Sequence, residues 1–137
     1  MIIFREDQIE LMIAHCKKEL PNESCGLLAG NIKEDIKTIK QVYFLENIDH
    51  SPEHFSMDAK EQFKALSDIR KNSWQLIGNF HSHPSTPSRP SVEDIRLAFD
   101  PNLSYSILSL ENIEQPVLNS FTIKGFAVEI DPLKVVE

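Results

Sequence analysis

The segment NFHSHPSTPSRPSVEDI, residues 79–95, constrains this chain more than any other part of its sequence. Two histidines follow an apolar run, and because alternate residues of a strand point to the same side, His81 and His83 project together. Proline fixes φ and disfavours helical geometry in the residue before it, so three prolines stiffen the loop that follows. The segment therefore predicts a strand, a rigid connection and a helix that begins near Ser91.

The side chains of this segment have the chemistry of zinc ligands. Imidazole nitrogens bind zinc readily, and Asp94, in the first turn of the predicted helix, offers a third ligand. Three protein ligands and one open position are typical of a catalytic zinc site, whereas structural sites are closed by four. Two ordinary explanations compete. An H-x-H at a strand end is often two packed or surface histidines, and Ser91-x-x-Asp94 is also a helix capping box.

Two longer helices are predicted elsewhere. An apolar stripe at helical spacing predicts the first over residues 7–20, before a proline. The second begins at Asp58, which forms a capping pattern with an acid three residues later, and its spacing predicts that Phe63, Leu66 and Ile69 point inward.

The rest of the chain is predicted to be β, so that the fold class is α/β, with a mixed sheet packed against helices. The run that ends in the two histidines is apolar on both faces, which indicates a central strand. A hairpin is expected across Lys124-Gly125. The predicted strands are residues 25–30, 36–45, 73–83, 105–110, 118–123 and 126–130, with a short helix at 92–99.

Composition narrows the functional classes. The chain has 137 residues, 41% of them hydrophobic, and a formal charge of -7, which argues against nucleic-acid and anionic-membrane surfaces. No apolar run approaches the ~20 residues that span a bilayer. Cys16 and Cys25 are interpreted as free thiols of a reducing compartment, and a cytoplasmic location is expected. The chain length predicts a single domain. His50 and His54 are interpreted as loop residues near the substrate.

From His81 to Asp94 the chain matches H-x-H-P-x6-S-x2-D without an insertion. In this string it resembles the JAMM, or MPN-plus, metalloprotease family, and it is most similar to the short stand-alone prokaryotic members. PNESCGLLAG, NIDHSPEHFSMD and IGNFHSHP are similar to further segments of that family. The resemblance extends from the first helix through YSILSL.

The resemblance implies a JAB1/MPN domain over residues 1–137, with a curved mixed sheet and one Zn²⁺ bound by His81, His83 and Asp94. It implies that Glu23 is the general base and that Ser91 donates its hydroxyl to the oxyanion of the tetrahedral intermediate. By themselves, Glu23 would be read as a solvated loop acid and Ser91 as a helix cap.

The same resemblance implies hydrolysis of a peptide or isopeptide bond after the C-terminal Gly-Gly of a ubiquitin-like or sulfur-carrier protein. We favour a sulfur carrier, because the chain leaves little room for insertions that would recognise a second ubiquitin. Two alternatives stay open. One is a non-catalytic MPN scaffold, although such modules lose ligands that this chain retains; the other is a zinc peptidase acting on other peptides or small amides. The oligomeric state is undetermined.

Overall fold

One eight-stranded sheet contains every strand of the computed structural model, which describes residues 1–137. No helix is long and apolar enough to cross a membrane. In chain order the elements are β1 (Ile2–Arg5), α1 (Glu6–Lys18), β2 (Cys25–Lys33), β3 (Ile36–Leu45), α2 (Ala59–Lys71), β4 (Gln75–His83), α3 (Val92–Arg96), β5 (Ser104–Ser109), β6 (Val117–Lys124), β7 (Ala127–Asp131) and β8 (Leu133–Val136).

The order of strands explains why the sheet is curved. Neighbours follow the order β7-β6-β5-β4-β2-β3-β1-β8, so that β7 and β8 are the two edges. Only Pro132 separates these edge strands in the chain, and its carbonyl accepts a hydrogen bond from the N–H of Ile2 in β1. The two edges must therefore approach each other. The sheet is mixed, since β1 runs parallel to β3 and β8, and β4 runs parallel to β5.

Different helices cover the two faces of the sheet. Helix α1 contributes Met12 to the main hydrophobic cluster, which also contains Phe80 of β4. On the opposite face, helix α2 contributes Ala65 to a second cluster, which also contains Cys25 of β2. Because side chains alternate along a strand, His81, next to Phe80, points to the face of α2. The histidine pair thus lies away from the main core.

The predicted α/β architecture is confirmed, and the histidine-bearing strand β4 lies between β2 and β5, as its apolar pattern indicates. The hairpin is also confirmed, with Gly125 at φ 63° in the turn between β6 and β7. Strands β1 and β8 were not predicted. Each has four residues, too few to show a period, and each becomes a strand through a partner distant in sequence.

Helix α2 corrects one expectation, because its buried residues are Ala65 and Ile69, whereas Phe63 and Leu66 are exposed. Each helical residue turns by about 100°, so Phe63 lies roughly 200° around the helix from Ala65. A face centred on the small Ala65 side chain leaves the Phe63 ring in solvent. The prediction was therefore right for Ile69 and wrong for Phe63 and Leu66.

The N-terminus of α2 follows half of the predicted capping box. The side chain of Asp58 accepts a hydrogen bond from the N–H of Glu61 at 3.0 Å. The Glu61 carboxylate does not close the box, since it accepts the N–H of Glu46 at 2.7 Å. This acid therefore joins α2 to the end of β3.

Candidate metal centre

The end of strand β4 presents the two histidines to one side of the sheet. Both are buried, with His81 3% and His83 4% exposed. Ser82 between them faces the other way and bonds to the chain next to β2: its hydroxyl accepts the N–H of Ser24 at 2.8 Å, and its N–H donates to the Ser24 carbonyl at 3.0 Å. The segment that carries Glu23 is thereby attached to the strand that carries the histidines.

The proline loop after β4 is held at several points. The carbonyl of Pro87 lies 2.9 Å from Nδ1 of His83. The hydroxyl of Ser88 donates to the carbonyl of Ile107 at 2.6 Å, and that of Ser109 donates to Thr86 at 2.6 Å. A stiff loop with such anchors delivers the start of α3 to a fixed place beside β4.

Asp94, in the first turn of α3, completes a tight group with the two histidines, and we call these three side chains the metal group. Its Oδ2 atom lies 3.2 Å from Nε2 of His81 and 3.1 Å from Nε2 of His83, and the two Nε2 atoms are 3.1 Å apart. A tetrahedral zinc site with bonds of about 2.0–2.1 Å separates neighbouring ligand atoms by roughly 3.3–3.4 Å. The three side chains therefore fit a single divalent ion.

The donor chemistry supports the same conclusion. A carbonyl can only accept, so the contact with Pro87 places the proton of a neutral His83 on Nδ1 and leaves a lone pair on Nε2. That lone pair faces a carboxylate oxygen, an arrangement that a cation or an extra proton must stabilise. Accordingly, although burial opposes the imidazolium, the hydrogen bonds to Asp94 and Pro87 raise the pKa of His83.

The carboxyl group of Asp94 shows the complementary effect. Burial by itself would raise its pKa, but hydrogen bonds from His81 and His83 outweigh burial and hold the pKa well below its ordinary value. The side chain is 16% exposed, so one side of the group remains open to the cleft. The group can bind a metal, and it leaves access for a further ligand.

Glu23 lies on the wall of the same cleft as His81 and Asp94. It is 6% exposed, and its backbone N–H donates to the carbonyl of Ser51 at 2.8 Å. Burial raises the pKa of its carboxyl group to about 8, with His83 acting in the opposite direction and Asp94 in the same direction. A buried acid whose pKa lies near neutrality can both take and return a proton.

Ser91 caps α3. Its Oγ accepts the N–H of Asp94 at 3.0 Å, while Oδ2 of Asp94 accepts the N–H of Ser91 at 2.9 Å. The capping box and the metal group therefore share Asp94, so the two explanations of the sequence pattern coexist. Capping uses a lone pair of the Ser91 hydroxyl, and its O–H remains able to donate. The residue is exposed, unlike the histidines.

A cleft of about 470 Å³ opens beside the metal group. Apolar residues that follow α3 or lie in strands β5 and β6 line it, including Leu97, Tyr105 and Ile107. The 47–57 loop also borders the cleft, through His54 and Phe55. A ligand in this cleft would contact both the apolar residues and the loop.

The 47–57 loop carries residues that sequence reasoning did not single out. The ring of Phe55 stacks on His81, and the Asn47 side chain bonds to the backbone of Glu23. The signal for Phe55 in the sequence was the similarity of NIDHSPEHFSMD to a segment of the family. His54 borders the cleft and bonds through Nδ1 to Glu93 Oε2 at 2.7 Å, whereas His50 lines a second cavity.

Comparison with known families establishes which family the chain belongs to. The family described as prokaryotic homologues of the JAB domain matches residues 5–124, which include the whole metal group. The chain belongs to this family. The resemblance inferred from the motif is thereby confirmed.

Relatives of the chain include proteins that are named as enzymes. The chain is 30% identical over 137 residues to the CysO-cysteine peptidase of Mycobacterium tuberculosis, covering 100% of this chain and 92% of the relative. It is 37% identical over 73 residues to the desampylase of Pyrococcus furiosus, covering 53% of this chain and 49% of the relative. The expectation of a hydrolase agrees with both names.

Solved structures share the fold. Protein DSY2949 of Desulfitobacterium hafniense is 52% identical, with a TM-score of 0.92 over 100% of this chain and 94% of that one. A structure described as JAMM, a metalloprotease-like zinc site in the proteasome and signalosome, is 23% identical, with a TM-score of 0.58 over 99% of this chain and 96% of that one. At that identity the second likeness shows the fold alone.

Proposed function

We propose that this protein is a zinc-dependent peptidase that cleaves the bond after the C-terminal Gly-Gly of a sulfur-carrier or ubiquitin-like protein. The observation that carries the proposal is the convergence of three ligand atoms within about 3 Å of one another in a cleft whose wall includes a buried acid. A structural zinc site would close the fourth position with a protein ligand, and the MPN scaffold alternative would not require the set at all.

In this proposal His81, His83 and Asp94 hold the ion through Nε2, Nε2 and Oδ2. Zn²⁺ bound there would polarise the scissile carbonyl and lower the pKa of a water molecule towards neutrality. The chain contributes a fixed ligand geometry, since the strand sets the spacing of the histidines and the helix cap holds the aspartate.

Glu23 is the proposed general base. Its carboxylate removes a proton from the attacking water and returns one to the leaving amine. Burial supports this role, because it raises the pKa of Glu23 to about 8 and so brings the acid and base forms close in energy at neutral pH. The backbone contact with Ser51 keeps the residue at the cleft wall.

Ser91 is the proposed donor to the oxyanion of the tetrahedral intermediate. Its position is set by the same hydrogen bonds that orient Asp94, so the donor and the metal ligand are placed together. A preorganised donor of this kind contributes about 10²–10³ in rate.

The substrate class is supported by the names of the relatives. An extended Gly-Gly tail has no side chains, so its backbone can approach the three side chains of the metal group closely. The name CysO-cysteine peptidase suits a carrier that bears a cysteine adduct at its C-terminus. We favour that class over a ubiquitin-like conjugate, to which the desampylase relative points.

The decisive experiment is incubation with candidate carriers of the same cell, each bearing a C-terminal cysteine or a lysine-linked adduct, with intact mass as the readout. Release immediately after Gly-Gly, blocked by a chelator and absent in His81→Ala, is the expected result. Equal cleavage of short unrelated peptides would favour the broader zinc peptidase. A folded protein that takes up no zinc would favour the scaffold.

A further inference from the structure

The two histidines of the metal group are oriented by different means. A metal-binding histidine ordinarily donates its second ring N–H to an acceptor, which fixes the rotation of the imidazole. His83 follows this rule, with Nδ1 2.9 Å from the carbonyl of Pro87. His81 does not, because its Nδ1 atom is buried and has no hydrogen-bond partner in the protein.

An aromatic ring lies against the face of the His81 imidazole. The ring of Phe55 is stacked on the imidazole of His81, with centroids 4.8 Å apart and planes at 25°. Aromatic pairs in such geometry contribute about 0.5–1.5 kcal/mol beyond the area they bury. Stacking restricts the tilt of the imidazole plane, which a hydrogen bond at Nδ1 would otherwise restrict.

The position of Phe55 is enforced by Asn47, a buried residue at the base of the 47–57 loop. Its amide nitrogen donates to the carbonyls of Glu23 and His54, each at 2.9 Å. Its amide oxygen accepts the N–H of Asp49 at 3.0 Å and of Ser56 at 3.2 Å. The residues on both sides of Phe55 are therefore tied to one side chain.

The loop is also attached to the rest of the site. The carbonyl of Ser51 accepts the N–H of Glu23, and the imidazole of His54 bonds to Glu93 of α3, next to Asp94. Phe55 thus belongs to a segment that touches the general base, one ligand directly and the helix of another ligand. The backbone on both sides of Phe55 is thus held, and its ring also packs against the hydrophobic cluster that contains Cys25.

We propose that Phe55 is a positioning residue for His81, whose imidazole it holds in the metal-binding orientation by stacking. The inference rests on the proposed zinc site and adds to it a residue outside the H-x-H-P-x6-S-x2-D motif. Without the ring, His81 has no partner at Nδ1 and no plane against which to lie, so its orientation must be selected when the ion binds. The affinity for the ion then falls.

The test measures zinc affinity by competition with a chromophoric chelator, in Phe55→Ala, Phe55→Leu and Phe55→Tyr. Loss of a partner that orients a ligand commonly weakens metal binding by about 10–100-fold. We expect at least about a tenfold loss in Phe55→Ala and in Phe55→Leu, which keeps bulk but lacks a ring, and near wild-type affinity in Phe55→Tyr. The absorption bands of bound Co²⁺ should change in the first two variants only.

Phe63→Ala is the matched control, since Phe63 is 73% exposed on α2. It should bind zinc as the wild type does, and circular dichroism should show the same fold in all four variants. Wild-type affinity in Phe55→Ala or Phe55→Leu, or an equal loss in Phe55→Tyr, would overturn the inference. If the wild type itself takes up no zinc, the proposed function fails. If the wild type takes up zinc and Phe55→Ala and Phe55→Leu bind it equally tightly, only the role of Phe55 fails.

Discussion

Ser91 and Asp94 hold each other through reciprocal hydrogen bonds, and the Asp94 oxygen that accepts the Ser91 N–H also faces both histidines. The contact that orients this oxygen comes from the backbone of Ser91, not from its side chain. The Asp94 carboxylate and the Ser91 hydroxyl are therefore separable by substitution.

Ser91→Ala should keep the metal and lose activity. The backbone N–H still orients Asp94, so zinc content should stay at one ion per chain by elemental analysis. Loss of the cap should lower the free energy of unfolding by about 1 kcal/mol, and loss of the donor should lower kcat by about 10²–10³. Ser85→Ala, in the same loop and exposed, is the control. If only the melting temperature drops, Ser91 is a cap and nothing more.

Glu23→Gln should keep the metal, because the amide has the same shape and Glu23 is outside the ligand group. Hydrolysis of a carrier adduct should fall by about 10²–10⁴, the usual contribution of a general base. The measurement is kcat under saturating zinc, with the exposed Glu111→Gln as a control for charge. Hydrolysis at the wild-type rate would remove Glu23 from the mechanism.

The same variant should change the pH dependence of stability. Burial raises the pKa of Glu23 from 4.5 to about 8, so the folded protein binds this proton more tightly than the unfolded chain does. The wild type should therefore lose stability as pH rises from about 4.5 to about 8, and Glu23→Gln should lack this component. Urea unfolding in a chelator at several pH values measures it. Parallel profiles would show that Glu23 is not desolvated.

Cys16 and Cys25 should be inert in the folded protein. Burial raises the pKa of the Cys16 thiol to about 11 and that of Cys25 to about 12, so neither forms the reactive thiolate at neutral pH. A thiol-specific reagent should label neither residue in buffer and both in denaturant, and carrier cleavage should survive the treatment in buffer. Rapid labelling of the folded protein with loss of activity would contradict this expectation.

Asn47→Ala should destabilise the 47–57 loop. Asn47 is 8% exposed, and its loss leaves the carbonyl of Glu23 without the amide donor. A buried polar group without a partner costs about 1–3 kcal/mol, so the free energy of unfolding, measured in urea, should fall by at least that much. Asn31→Ala, on an exposed part of β2, should shift it little. An unchanged midpoint would mean that the loop does not depend on Asn47.

The convergence of His81, His83 and Asp94 was predictable because every constraint on it is local. Strand alternation places His81 beside His83, prolines stiffen the loop, and a capping box places Asp94 in the first turn of α3. The histidine-bearing strand could be assigned to the middle of the sheet because burial on both faces leaves an apolar run. The motif led to the same residues and to the family that comparison then established.

Tertiary structure alone decided the rest, because those features depend on contacts between distant segments. Strands β1 and β8 exist through pairing with each other, and the buried face of α2 follows Ala65 and Ile69 instead of the larger Phe63. Phe55 meets His81 from a loop that the side chain of Asn47 ties to the backbone of Glu23. No periodicity records such a contact, since neither local propensity nor spacing depends on which residue lies across the cleft.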